Sequence, residues 1–211
     1  MRICLHNGTL LNGFSQMENC AVVINDGTIE DVFSEERFRQ HEFSSKDTLI
    51  DVKGSYIAPG FIDTHIHGFK GHGTDFCTTE GILKMSQDLA AYGVTAFNPT
   101  MYPASEENMV ATIQAIVKAM GHEQGARIMG IHLEGPFISS EKLGVQRPET
   151  VKNVDLALLE RLWQASEGHI VNMTVAPELK NMRQLALSCR KKGIVLQAGH
   201  TDAAYENMVE G

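Results

Sequence analysis

The sequence predicts an α/β chain in which a partial (β/α)8 (TIM) barrel, about the first five strand–helix units, follows a small β-rich domain. Three observations predict it. The apolar period changes near residue 54, strand-like and helix-like segments alternate beyond that point, and the strands of the second part end in polar or charged residues.

Residues 1–53 form the first part. Short apolar pieces, "RICLHNGTLLNG" and "CAVVINDGTIEDVF", alternate with turn signals. Asn25-Asp26-Gly27 lies between two β-like runs, and Asp-Gly in that place is a hairpin signal. The segment reads as a small sandwich-like β domain, with a lone hairpin decorating the barrel as the alternative.

Residues 54–211 form the second part. Its expected strands are "GFIDTHIH", "VTAFNPT", "RIMGIHLEG", "NMTVAPE" and "IVLQAGHT". Ser105 can cap a helix that carries Met109, Ile113, Val117 and Met120 on one face. In "NVDLALLERLWQASEG", Leu158, Leu159, Leu162 and Trp163 form the buried stripe and Gly168 is the stop. "NMRQLALSCRKKG" ends in basic residues and Gly193, which suits a helix C-terminus.

Repeated strand–helix units imply a parallel sheet, either open and doubly wound or closed into a barrel. A nucleotide-binding open sheet needs a phosphate-binding glycine turn. "HGFKGHG" is glycine-rich but matches neither G-x-G-x-x-G nor a P-loop. Polar groups recur instead at the strand ends: His65 and His67, Asn98, His132 and Glu134, Glu178, and His200. In a closed barrel the reacting groups come from the C-terminal ends of several strands, so the barrel is the better reading.

The 211 residues are 43% apolar with a formal net charge of -8, an ordinary globular balance. The acidic balance, with no basic cluster, argues against a nucleic-acid surface. No apolar stretch is long enough to span a membrane, and the N-terminus lacks a signal-peptide core. Cys4, Cys20, Cys77 and Cys189 form no C-x-x-C pair. Scattered thiols fit a reducing compartment, and a cytoplasmic protein is expected.

His65 and His67 are one residue apart on a strand, so both imidazoles point to one face, as a strand offers two nitrogens to one metal ion. Glu134 ends an otherwise apolar strand, where a carboxylate is costly to bury unless paired or metal-bound. His132 shares the face of Glu134 but sits deeper, which favours a supporting role. His200 follows a small-residue strand end, with Thr201 or Asp202 available to cap the next helix. Imidazoles with a carboxylate suit zinc or iron and not magnesium. Such an ion lowers the pKa of bound water and polarises a carbonyl, the chemistry of amide hydrolysis. No G-x-S-x-G elbow offers a serine alternative.

"PGFIDTHIHG" resembles the first barrel strand of the amidohydrolase superfamily. Its combination with "GIHLEGPF", "TVAPE" and "AGHTDA" resembles, in order and over nearly the whole chain, the N-acetylglucosamine-6-phosphate deacetylase family. The resemblance implies a metal-dependent enzyme that removes acetate from an N-acetylated amino-sugar 6-phosphate. It implies His65 and His67 as the metal-binding pair that some members have, Glu134 as the metal-ligating or bridging glutamate, and His200 as a further ligand. One or two ions, zinc or iron, and a homodimer follow from the same resemblance. Glu134 stands where hydantoinase-like relatives carry a lysine, which weakens that reading.

The chain departs from the family in two ways. Where members have Lys-Gly-Ala-His-Pro, whose Ala and His contact the sugar phosphate, this chain reads "KLGVQRPE", placing Val145 and Gln146 at those positions. A glutamine donates a hydrogen bond but cannot carry imidazolium charge. N-acetylgalactosamine 6-phosphate is therefore a competing substrate, and a deaminase of the same superfamily is a second alternative. The chain also stops at Gly211, whereas a whole barrel takes roughly 250 residues. The expectation is an N-terminal portion whose acid–base aspartate lies beyond Gly211, inactive by itself. A non-catalytic metal- or partner-binding remnant is the remaining alternative.

Overall fold

The computed structural model describes residues 2–210. Two compact units divide the chain, Met1–Pro59 and Gly60–Gly211.

The first unit holds β1 (Arg2–Leu11), β2 (Gln16–Asn25), β3 (Thr28–Ser34), a short helix α1 (Glu35–Gln40), β4 (Thr48–Asp51) and β5 (Tyr56–Ile57). These strands make one sheet in the order β3-β2-β1-β4, with β5 also on β1. β1, β2 and β3 run antiparallel, whereas β4 and β5 run parallel to β1. The hairpin expected at Asn25-Asp26-Gly27 joins β2 to β3. Asp26 and Gly27 both have positive φ, 47° and 80°, the twist a two-residue hairpin turn requires. Cys4, Ala21, Val23 and Phe33 form the unit's small core, flanked by Phe38 and Phe43. Pairing of β5 with β1 carries this unit past residue 53 to Pro59.

The second unit starts with β6 (Phe61–Ile66), a tight hairpin of β7 (Gly68–Phe69) and β8 (His72–Gly73), and helix α2 (Thr79–Ala90). It continues through β9 (Val94–Met101), α3 (Glu106–Ala119), β10 (Arg127–Ile128) and β11 (Ile131–Glu134). α4 (Leu156–Ala165), β12 (Ile170–Val175), α5 (Met182–Lys192), β13 (Val195–Ala198) and α6 (Tyr205–Glu210) complete it.

The expected strand "RIMGIHLEG" is interrupted, and its two pieces, β10 and β11, both lie parallel to β9. Gly130 sits in the break, where a Cβ would meet Val171 Cγ1 at 2.4 Å, so the close approach requires glycine. The large sheet then runs β6, β9, β10/β11, β12, β13, every neighbouring pair parallel. Strands in strict chain order mean that every crossover steps the same way around. An open doubly wound sheet reverses direction partway. The result is an α/β fold with a parallel half-barrel sheet, which places the C-terminal strand ends along one rim.

Three helices of this unit begin where the sequence provides a side-chain cap. Thr78, Ser105 and Asp155 accept backbone N–H groups at the starts of α2, α3 and α4. Gly193, at φ 75°, ends α5 as expected. The buried face of α3 is rotated from the expected one: Met109, Thr112, Ile113, Ile116 and Ala119 are buried, while Val117 and Met120 lie at the edge. Trp163 is also only partly buried, and the Lys192 ammonium lies over its ring at 5.1 Å. Leu158, Leu159 and Leu162 are fully buried as expected. Shortening a buried leucine of this kind to alanine costs about 2–5 kcal/mol.

Candidate metal centre

The sheet rim gathers four of the expected residues. His65 lies near the end of β6 and His67 just after it, on the same side by strand alternation. Their Nε2 atoms are 3.1 Å apart. Glu134 ends β11, and its carboxylate faces both: Oε1 is 3.4 Å from His65 Nε2 and Oε2 is 3.3 Å from His67 Nε2. His200, in the left-handed conformation at φ 50° after β13, brings its Nε2 to 3.3 Å from Glu134 Oε1. Ligand atoms of His65, His67 and Glu134 lie within 4.8 Å of one another, as shared coordination needs.

The outer partners of the histidines decide what these contacts mean. His67 Nδ1 is 3.0 Å from the carbonyl oxygen of Thr100, and His200 Nδ1 is 2.9 Å from that of Lys142. A carbonyl only accepts, so each Nδ1 carries a hydrogen and each neutral ring leaves a lone pair on Nε2. Those lone pairs point at an anionic carboxylate. Only a cation relieves the repulsion, either a proton on each ring or a metal ion among the donors. A carbonyl behind a ligating histidine is the usual orienting arrangement at metal sites. Three imidazoles around one carboxylate fit zinc or iron, and the residues present therefore fit the group that the sequence implied.

Burial pushes the Glu134 carboxyl up. With a proton as the cation on each ring, the hydrogen bond and charge of His67, the charge of His65 and the bond to His200 outweigh it and hold it at about 2. His132 differs. Burial first, then the charge of His65, brings it down to about 4, so it stays neutral. Its ring is wedged between Thr100 Oγ1 at 3.2 Å and Thr174 Oγ1 at 2.8 Å, with no nitrogen left for an ion. It supports the rim from beneath, edge-on to the His65 ring.

The other expected residues fall nearby. Gln146 is buried and donates from Nε2 to Glu134 Oε2 at 2.7 Å. Val145 is exposed; both residues line a cavity of about 450 Å³ shared with Asp75, Tyr102 and Arg147. Asn98 is buried with its Oδ1 unpartnered, two residues before Thr100 on the same side of β9. Glu178 ties down the His200 loop, accepting from Thr201 Oγ1 at 2.5 Å and from the Asp202 N–H at 2.8 Å. Neither Thr201 nor Asp202 therefore caps a helix directly; α6 begins at Tyr205.

Sequence reading missed three contributors. Thr100 uses its carbonyl on His67 and its hydroxyl on the Ile66 N–H, 3.0 Å away, between the two histidines. Tyr102 stacks on the His67 ring at 3.7 Å and 5°. The Lys142 carbonyl orients His200. Thr100 ends the recognised strand "VTAFNPT" and Tyr102 lies two residues beyond it, close enough to be suspected, but nothing in the sequence marks a backbone carbonyl.

A parallel half-barrel whose rim gathers imidazoles around a carboxylate defines a class of metal-dependent hydrolases, and residues 56–211 match the amidohydrolase family, to which the chain belongs. Within that family it is similar to the N-acetylglucosamine-6-phosphate deacetylase of Bacillus subtilis (strain 168), 33% identical over 95% of this chain and 49% of the relative. Among solved structures, the N-acetylglucosamine-6-phosphate deacetylase of Thermotoga maritima matches 98% of this chain and 51% of its own at 27% identity, with a TM-score of 0.78. The Pasteurella multocida deacetylase structure shares the fold over the whole chain and 54% of its own, at 22% identity and a TM-score of 0.87. The chain thus spans about half the length of the curated relatives it matches.

Proposed function

We propose that the chain is part of an N-acetylglucosamine-6-phosphate deacetylase, which hydrolyses the acetamide of N-acetylglucosamine 6-phosphate to glucosamine 6-phosphate and acetate. The observation that carries the reading is the Glu134 carboxylate shared among His65, His67 and His200 within 3.4 Å. The similarity to curated deacetylases over nearly the whole chain supports it.

In this reading His65, His67, Glu134 and His200 hold one or two ions, zinc or iron. A divalent ion there lowers the pKa of a water and polarises the acetamide carbonyl. The chain's own groups prepare that chemistry. Thr100 and Lys142 fix the tautomers of His67 and His200 through their carbonyls. Tyr102 holds the His67 ring in plane. Val145 and Gln146 border the cavity beside the centre and meet the sugar there. Proton transfer from water to the leaving amine falls to the aspartate that the resemblance places beyond Gly211.

The finer fold reading belongs here too: the half-barrel sheet is the first part of a (β/α)8 barrel, and the first unit belongs to a small sandwich-like β domain. So do a cytoplasmic location, an amino-sugar phosphate as the small-molecule partner, no nucleic acid or membrane partner, and a homodimer. Four free cysteines support the location.

The test is acetate release from N-acetylglucosamine 6-phosphate by the product of the complete reading frame, with and without a chelator. Acetate only from the galacto epimer, which Val145 and Gln146 keep in view, would correct the sugar. Ammonia without acetate would replace the reading by a deaminase. No product with any substrate, but retained metal, would favour the non-catalytic metal- or partner-binding reading.

A further inference from the structure

We infer that residues 142–146 form the positioning layer of the metal centre, with Gln146 as the residue that orients the Glu134 carboxylate. The inference rests on the metal-centre reading above and adds to the sugar contact assigned to Gln146 there.

The contact from Gln146 Nε2 to Glu134 Oε2, at 2.7 Å, is shorter than any from the three histidines, which lie at 3.3–3.4 Å. Gln146 is itself 6% exposed, so the contact is shielded from water. A primary amide nitrogen does not titrate and is no metal ligand, so what it supplies is direction. One hydrogen bond to Oε2 fixes the rotation of the carboxylate, a soft torsion otherwise, and leaves each oxygen a lone pair for an ion.

The turn that carries Gln146 reaches a second ligand as well. The Gln146 N–H donates to the Leu143 carbonyl at 3.0 Å, closing the turn. Gly144 within it has φ 61°, and a Cβ there would lie 3.2 Å from His200 Cε1. Lys142, at the start of the turn, accepts from His200 Nδ1 at 2.9 Å. Glu134 comes from β11 and His200 from the loop after β13. A single turn therefore holds two ligands supplied by different strands, which neither strand could align alone.

The experiment is calorimetric titration of zinc into the metal-free 211-residue chain. The cobalt(II) spectrum reads ligand geometry, and the metal-free melting temperature serves as the fold control. Gln146→Leu keeps the bulk without the donor, Gln146→Ala removes both, and Gln146→His returns an N–H donor. Glu134→Gln is the control on the centre itself. The expected result is zinc binding weakened about 10–100-fold in the Leu and Ala variants, a changed cobalt spectrum, and recovery in the His variant. Wild-type zinc affinity in Gln146→Leu, with binding lost in Glu134→Gln, overturns the positioning role but keeps the metal centre. Wild-type affinity in Glu134→Gln overturns the centre and the inference together. If the Ala variant does not fold, the comparison of Leu with His decides.

Discussion

His67 presents Nε2 to Glu134 Oε2 at 3.3 Å, although its hydrogen is held on the opposite side of the ring by the Thr100 carbonyl. A lone pair aimed at a carboxylate is a binding geometry for a cation. Zinc should therefore raise the melting temperature of the chain and a chelator reverse it. A ligand at 100 times its Kd stabilises by about 2.7 kcal/mol. His67→Ala and Glu134→Gln should abolish the shift, and a zinc-dependent shift that survives both would place the ion elsewhere.

Thr100 ties the two histidine-bearing strands together. Its buried Oγ1 accepts from the Ile66 N–H and lies 3.2 Å from His132 Nδ1. Thr100→Val keeps the shape and strands these partners, each such loss costing about 1–3 kcal/mol. Urea denaturation should show a loss in that range, with weaker zinc binding besides. A loss below ~0.5 kcal/mol, the scale of surface substitutions, would sink the account.

Acid should loosen the loop that carries His200. Burial raises the Glu178 carboxyl, but the hydrogen bonds from Thr201 and the Asp202 N–H outweigh it and lower its pKa. A depressed folded pKa gives stability that is present above the unfolded value, about 4.3, and lost as pH falls below it. Glu178→Gln should be less stable than wild type at neutral pH, and its stability should fall less between neutral and acidic solution. Parallel pH–stability curves for the two proteins would disprove the role.

The thiols should be quiet. Burial raises Cys4, Cys77 and Cys189 each to about 11, the charge of Glu35 adding to the effect at Cys4. Little thiolate is then present at neutral pH, and thiolate is the reactive form. Disulfide-exchange reagents should label these cysteines slowly in the native chain and fast in denaturant. Rapid native labelling at any of the three would contradict their raised pKa values.

The alternation of strands and helices was legible because it follows local apolar spacing, and Ser105 and Gly193 mark their helix ends through local backbone chemistry. Local spacing was less able to place the rotation of α3. Its apolar residues number more than the stripe needs, and the neighbouring elements selected Ile116 and Ala119 over Val117 and Met120. The need for glycine at position 130 was equally hidden, since it comes from the close approach of Val171 on the adjoining strand.

His65, His67, Glu134 and His200 could be named from the sequence because period two and strand-end position are properties of the chain itself. That their nitrogens and oxygens converge within 3.4 Å was decided by the register of the parallel sheet, which sets residues far apart in the chain side by side. The tertiary structure alone selected the Thr100 and Lys142 carbonyls and the Gln146 amide as their partners. Every residue offers the same carbonyl, and only packing determines which one an imidazole meets.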